Sequence, residues 1–200
     1  MVHIAIFASG TGTNARKILA HFEGSPEVRV ALIVSNRKDA LVLRAAEERG
    51  IDTLVIDRAS FYDSASILEA LNKYAIELIV LAGFLWLMPP YLVKAFHRRI
   101  INIHPALLPK FGGKGMYGHH VHEAVLNAGE KESGITIHLV DEEYDRGQTL
   151  FQARCPVDAG DTPESLAGKV QLLEHHYFPL IIDQYIKEGL PSLFLKNQLL

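Results

Sequence analysis

The chain is short of several things whose presence would narrow its role at once. Its 200 residues include one cysteine, Cys155, and one tryptophan, Trp86. A lone cysteine cannot close an internal disulfide, which excludes a disulfide-stapled secreted scaffold. Charge is equally thin: 20 Lys plus Arg against 23 Asp plus Glu leave a net of -3. That is too little of either sign to hold nucleic acid or an anionic membrane by bulk electrostatics, so neither partner is expected and any useful charge must be local. The longest apolar runs, 78–82 and 84–90, fall far short of the roughly 20 residues that span a bilayer. With no charged leader and apolar run at its start, the chain reads as cytoplasmic. What is present, 48% apolar and 22% charged residues with 15 Gly and 9 Pro, is the composition of an ordinary globular protein.

The order of elements points to an α/β fold. Val2-His3-Ile4-Ala5-Ile6-Phe7-Ala8 is strand-like, breaks at Ser9-Gly10-Thr11-Gly12-Thr13-Asn14, and resumes at helical spacing over 15–22. Strand-like 28–34 and 53–56 then alternate with helical 41–49 and 66–74. A buried strand over 78–81 ends at Ala82-Gly83, a short helix covers 91–97, and a strand over 100–103 ends at His104-Pro105. This alternation predicts a doubly wound, mostly parallel sheet. Beyond it a glycine-rich stretch, 112–118, precedes a helix over 121–128. Strands over 134–140 and 149–157 are joined by a seven-residue turn that suits an antiparallel pair. A long helix over 163–187, capped by Asp161 or Thr162 and stopped at Gly189, closes the pattern. With no linker-like stretch, residues 1–189 are read as a single domain followed by a tail, 190–200.

Two constellations carry chemistry. In Gly10-Thr11-Gly12-Thr13-Asn14-Ala15, two positions without side chains let a ligand approach the backbone, and the amides opening the next helix favour an anion. The spacing also fits a dinucleotide fingerprint, yet Ser35-Asn36-Arg37 lacks the acid that would hold a ribose; Arg37 leaves an NADP alternative open. The second constellation is Asn102 and His104. Two apart on a strand, they share a face at the carboxyl end of the sheet, where open parallel sheets place ligands; the pair suits an oxyanion site, with a hydrogen-bonded structural histidine as the alternative.

The string Asn102-Ile103-His104-Pro105-Ala106-Leu107-Leu108-Pro109 resembles the folate-dependent formyltransferase family. Further marks of that resemblance are Ser9-Gly10-Thr11-Gly12-Thr13-Asn14, Leu81-Ala82-Gly83-Phe84, Gly134-Ile135-Thr136-Ile137-His138, Asp145-Arg146-Gly147, and Gln171 with Glu174-His175. It implies the formyltransferase-like fold and transfer of a formyl group from 10-formyltetrahydrofolate, as co-substrate and without a metal, to the amine of glycinamide ribonucleotide. By the same resemblance Asn102, His104 and Asp145 are the catalytic trio. Gly12, Thr13 and Asn14 bind the substrate phosphate, and Glu174 holds the glycinamide end. Leu85, Trp86, Leu87, Met88, Asn102, Asp141 and Asp145 contact the folate, and His122 neighbours the substrate. Oligomeric state stays open between monomer and homodimer.

The chemistry agrees with those roles. Amine attack on a formyl carbon passes through a tetrahedral oxyanion that needs placed donors, and the leaving nitrogen needs a proton. Asn102 supplies a donor; His104 can do both. Asp145, on reaching His104, is expected to raise its pKa above that of a free histidine. The apolar neighbours Leu172, Leu173, Phe178 and Leu180 imply that the Gln171–Glu174–His175 face is buried. Two stretches depart from the family pattern: the glycines of 112–118 imply a mobile flap, and 61–66 lacks a cation that many relatives present to the folate; Lys114 is read first as an exposed solubilising lysine, with partial replacement of that cation as the alternative. His119, His120, His122 and Glu123 are too few at suitable spacing to imply a zinc site.

Overall fold

The computed structural model describes residues 1–63 and 66–190; the expectations for Ser64, Ala65 and the tail beyond Leu190 lie outside the described residues. The elements in order are β1 (Val2–Phe7), α1 (Thr13–His21), β2 (Val28–Ser35), α2 (Leu41–Glu47), β3 (Asp52–Val55), α3 (Arg58–Asp63) and α4 (Ser66–Lys73). There follow β4 (Leu78–Leu81), α5 (Pro90–Ala95), β5 (Ile100–His104), α6 (His119–Asn127), β6 (Glu132–Leu139), β7 (Thr149–Pro156) and α7 (Pro163–Lys187). Seven strands form one sheet in the order β3-β2-β1-β4-β5-β6-β7. The first five are parallel; β6 runs antiparallel to both β5 and β7. The fold is therefore the α/β, mostly parallel arrangement expected, with two antiparallel pairings at its end.

Apolar burial on both sheet faces holds the strands in place. From β1, Ile4 and Ile6 enter a cluster with Ile18 and Leu19 of α1 and with Val170, Phe178 and Ile182 of α7. Ala5 and Phe7 enter the opposite cluster with Phe61, Leu71, Leu92 and Phe96. Fully burying such large side chains contributes roughly 1.5–3 kcal/mol each, which is why β1 tolerates no polar face. The chain proceeds from β1 outward through β2 and β3, then returns to the other side of β1 for β4 and β5. The carboxyl ends of β1 and β4 thus flank the switch point where such sheets open a crevice.

Some boundaries differ from the expectation. His104 is the last residue of β5 rather than the first beyond it. α3 was not foreseen; it starts after Asp57, whose Oδ1 accepts the Ser60 N–H at 2.8 Å. Of the two candidate caps for α7, Thr162 is the one that serves: Thr162 and Ser165 cap one another reciprocally, with Pro163 in the first turn. The face expected to be buried on α7 is only partly so, since Leu172 and Leu180 are exposed while Phe178 is fully enclosed. In the β6–β7 connection a Cβ at Gly147 would overlap the Leu139 carbonyl oxygen, so the tight return of that turn requires glycine.

Candidate active site

The site forms where β5 ends. Antiparallel register sets His138 of β6 opposite Asn102, and Thr136 opposite His104. His138 Nδ1 donates to the Leu139 carbonyl at 2.8 Å, which leaves Nε2 to accept from Asn102 Nδ2 at 3.0 Å. Thr136 steadies the neighbouring string. Its hydroxyl donates to the Ala106 carbonyl (2.7 Å) and accepts from the Leu108 amide (2.9 Å), while Gln152 Nε2 donates to both that hydroxyl and the Leu108 carbonyl. These bonds explain why a strand motif ending in His138 accompanies the Asn102–Pro109 string: the one is the hydrogen-bonded support of the other.

Asp145 reaches the pair from the β6–β7 turn. Its φ of +57° is a left-handed backbone that a non-glycine residue adopts at a cost, held here by the partners of its side chain. Oδ2 lies 3.5 Å from His104 Nδ1 and accepts the Gly113 N–H at 2.9 Å; Oδ1 lies 3.6 Å from His138 Nε2. Burial pushes the Asp145 carboxyl up, but His138, His104 and the Gly113 amide together hold it below the ordinary range. The expectation for His104 is corrected. Its side chain is almost fully enclosed, and that desolvation lowers its pKa by more than Asp145 and the Phe111 carbonyl raise it. Burial therefore favours the neutral form of the ring. Because Nε2 donates to the Phe111 carbonyl at 2.7 Å, the neutral ring carries its proton there and presents a bare Nδ1.

Around these groups lies a cavity of about 950 Å³. Asn102, His104, His138 and Asp145 line it, as do Leu85, Trp86, Leu87, Met88, Val140 and Tyr144 on an apolar side, and Asn14, His122, Gln171 and Glu174 on a polar one. Trp86 belongs to core and cavity together: it packs on Phe61, Tyr62 and Phe84 while lining the opening. A cation is also present, three residues ahead of the stretch that lacks one. Arg58, the first residue of α3, holds its guanidinium 5.8 Å from the Trp86 ring centre and 5.5 Å from that of Tyr62. Lys114 lines the cavity with the flap glycines.

Three residues expected to contact a ligand lie outside the cavity lining. Gly12 and Thr13 do not line this cavity; Gly12 opens α1 with φ +71°, and a Cβ there would lie 2.6 Å from Val42, so packing alone already demands glycine. The first-turn amides of α1 nonetheless have no partner within the helix, and no acidic residue sits in that turn. Asn14 does face the cavity, with its Nδ2 donating to Glu174 Oε2 at 2.9 Å and its Oδ1 buried without a partner. Burial raises the Glu174 carboxyl, Asn14 offsetting part of the shift. Asp141 does not line the cavity either: its Oδ1 accepts the Glu143 amide and shapes the turn. Arg37, the residue behind the NADP alternative, is exposed and paired to Asp39 at 3.0 Å. Among the described residues no group of three His, Cys, Asp or Glu is placed to hold a metal ion, and no helix is long and apolar enough to cross a membrane.

The chain matches a known family. The model of the family described as formyl transferase covers residues 2–182. The chain belongs to the formyl transferase family. Among its relatives, a chloroplastic phosphoribosylglycinamide formyltransferase of Arabidopsis thaliana is 44% identical over 191 residues, covering 92% of this chain and 65% of that protein. A second plant relative, from Vigna unguiculata, is 40% identical with 61% of its length covered; the chain thus spans under two thirds of both plant proteins. The phosphoribosylglycinamide formyltransferase of Escherichia coli is 35% identical, covering 92% of this chain and 87% of that one. Among solved structures, glycinamide ribonucleotide transformylase 1 of Symbiobacterium toebii superposes with a TM-score of 0.85 at 36% identity, over 94% of this chain and 89% of that one. This member of the family lines one cavity with Asn102, His104 and Asp145 from segments up to 43 residues apart. Sequence reasoning gave no role to His138, Thr136, Gln152 or Arg58. For the first two the available signal was the register of β6 on β5, which the alternation of Ile135-Thr136-Ile137-His138 does not itself reveal.

Proposed function

We propose that the protein transfers the formyl group of 10-formyltetrahydrofolate to the amine of glycinamide ribonucleotide, giving formylglycinamide ribonucleotide and tetrahydrofolate in purine biosynthesis. The observation that carries this reading is the convergence of Asn102, His104 and Asp145 in one cavity between an apolar wall and a polar one. The planar pterin suits the side formed by Leu85, Trp86, Leu87 and Met88. The phosphorylated amine substrate suits the side formed by α1 and α7, with Glu174 toward its amine and the open amides of Thr13 and Asn14 toward its phosphate. A cytoplasmic site of action belongs to the same proposal, supported by the lone cysteine.

The site geometry supports the following order of proton steps. As the amine nitrogen bonds to the formyl carbon, Asn102 donates to the developing oxyanion. His104 Nδ1, bare in the neutral ring, takes a proton from that nitrogen. The resulting imidazolium keeps Nε2–H on the Phe111 carbonyl and faces the ionised Asp145 across 3.5 Å, which stabilises the charge. His104 then gives the proton to the departing folate nitrogen as the carbon–nitrogen bond breaks, so the amine's proton ends on tetrahydrofolate and the ring returns to its starting state.

The test is an assay for tetrahydrofolate release from 10-formyltetrahydrofolate, run with glycinamide ribonucleotide and without it. The proposal expects release only with the amine substrate, matched by a formylated product. Equal release in its absence would make the enzyme a hydrolase, and no release in either case would overturn the assignment.

A further inference from the structure

We infer that His138 is a positioning residue that sets which polar atoms Asn102 offers to the reacting formyl group. The inference rests on the catalytic reading of Asn102 and goes beyond it. Two nitrogens 3.0 Å apart, Asn102 Nδ2 and His138 Nε2, can bond only if one donates and the other accepts. Nδ1 of His138 decides which. Its partner, the Leu139 carbonyl at 2.8 Å, can only accept, so Nδ1 carries the proton and Nε2 of the singly protonated ring is a lone pair. The Asn102 amide must then turn its NH2 toward β6.

That orientation has a catalytic consequence. One N–H of Asn102 is committed to His138; the second N–H and Oδ1 remain for the cavity, so one side chain shows a donor and an acceptor together. The donor suits the oxyanion, and the acceptor suits an N–H of the attacking amine. With the amide flipped, NH2 and oxygen would exchange places, and the donor to the oxyanion would be misdirected. His138 can hold the choice because it is itself fixed: its side chain is 2% exposed and its Nδ1–H is bonded to the Leu139 carbonyl at 2.8 Å. Its hydrogen bond to Asn102 is the contact through which it acts here.

The experiment compares wild type with His138→Leu, His138→Gln, Asn102→Ala and the double variant His138→Leu/Asn102→Ala, reading kcat and both KM values beside a thermal melt. His138→Leu should lower kcat by about 10²-fold, the scale of a misplaced oxyanion donor, with KM values within about threefold. Gln offers an acceptor oxygen to the Asn102 amide and should recover at least about tenfold of that loss. In the Asn102→Ala background, His138→Leu should cost less than about threefold, because the group it positions is gone. Multiplicative losses, or Gln no better than Leu, would overturn the inference. Should His138→Leu fail to fold, His138→Met takes its place in the same comparison. A crippled Asn102→Ala beside an unimpaired His138→Leu would overturn this inference alone, whereas a fully active Asn102→Ala would overturn the catalytic reading and this inference with it.

Discussion

Asp145 meets His104 at 3.5 Å from a backbone held at φ +57°, so the turn between β6 and β7 gives up conformational ease to deliver one carboxylate. That relationship, with burial around it, organises the chemistry. On the proposed mechanism, burial favours His104 as a neutral base, and the adjacent negative charge favours its protonated form once a proton arrives.

The polar wall should act on one substrate only. Glu174→Gln removes the carboxylate assigned to the amine end and loosens the Asn14 contact at 2.9 Å. The expected result is a rise of about tenfold or more in KM for glycinamide ribonucleotide, with the folate KM nearly unchanged. Steady-state kinetics with each substrate varied in turn decides it, and a selective loss of folate binding would contradict the assignment.

Arg58 should act on the other. Its guanidinium, stacked near Trp86 and Tyr62 at the apolar side, has the charge to meet a folate carboxylate. Arg58→Ala is expected to raise the folate KM severalfold and leave that of the amine substrate unaltered. The opposite pattern would show that the apolar wall does not hold the folate.

Gly12 serves packing before it serves any ligand. Because a Cβ would press on Val42 at 2.6 Å and the residue has φ +71°, Gly12→Ala should destabilise the fold by about 1 kcal/mol or more, visible as a lowered Tm. An unchanged Tm with a raised KM for the phosphorylated substrate would instead make Gly12 purely a ligand contact.

Stability should also depend on pH in a stated direction. His104, His122 and His175 all have pKa values lowered by burial in the folded chain. An unfolded chain therefore binds more protons than the folded one once pH drops below about 6.5, the ordinary histidine value. Their contribution is fully present above that value and is lost as pH falls through the depressed folded values. Thermal melts should show Tm constant from pH 8 to 7 and declining from pH 6.5 downward, and replacing His122 by Gln should flatten part of the decline. A Tm that rises on acidification would reverse the sign of the account.

The central strands of the parallel half were legible as apolar runs; β4 begins and ends where Leu78-Ile79-Val80-Leu81 does, after Glu77 and before Ala82-Gly83. The pairing of Asn102 with His104 was legible for a similar reason, a two-residue spacing on one strand. What depends on contacts between distant segments was not. Nothing local in Asp145-Arg146-Gly147 says that its carboxylate returns to β5, and the family resemblance supplied that expectation. The direction of the His104 shift was misjudged because a sequence names the charged neighbour but not the volume of protein that excludes water, and here the second outweighs the first. α3 escaped notice because a six-residue helix offers less than two turns of periodicity, and its one local sign was Asp57 three residues before Ser60.

The central claim, that His104 works as a base whose protonated form Asp145 stabilises, is tested most directly by the pH dependence of kcat/KM for wild type and Asp145→Asn. For the wild type the account predicts an acid limb below about 6.5, since the free enzyme must hold His104 neutral and burial lowers its pKa. Removing the carboxylate takes away the charge that favoured imidazolium, so in Asp145→Asn the limb should move to lower pH while the plateau falls by about 10²-fold. A limb that moves upward, or an Asp145→Asn enzyme with the wild-type plateau, would contradict it.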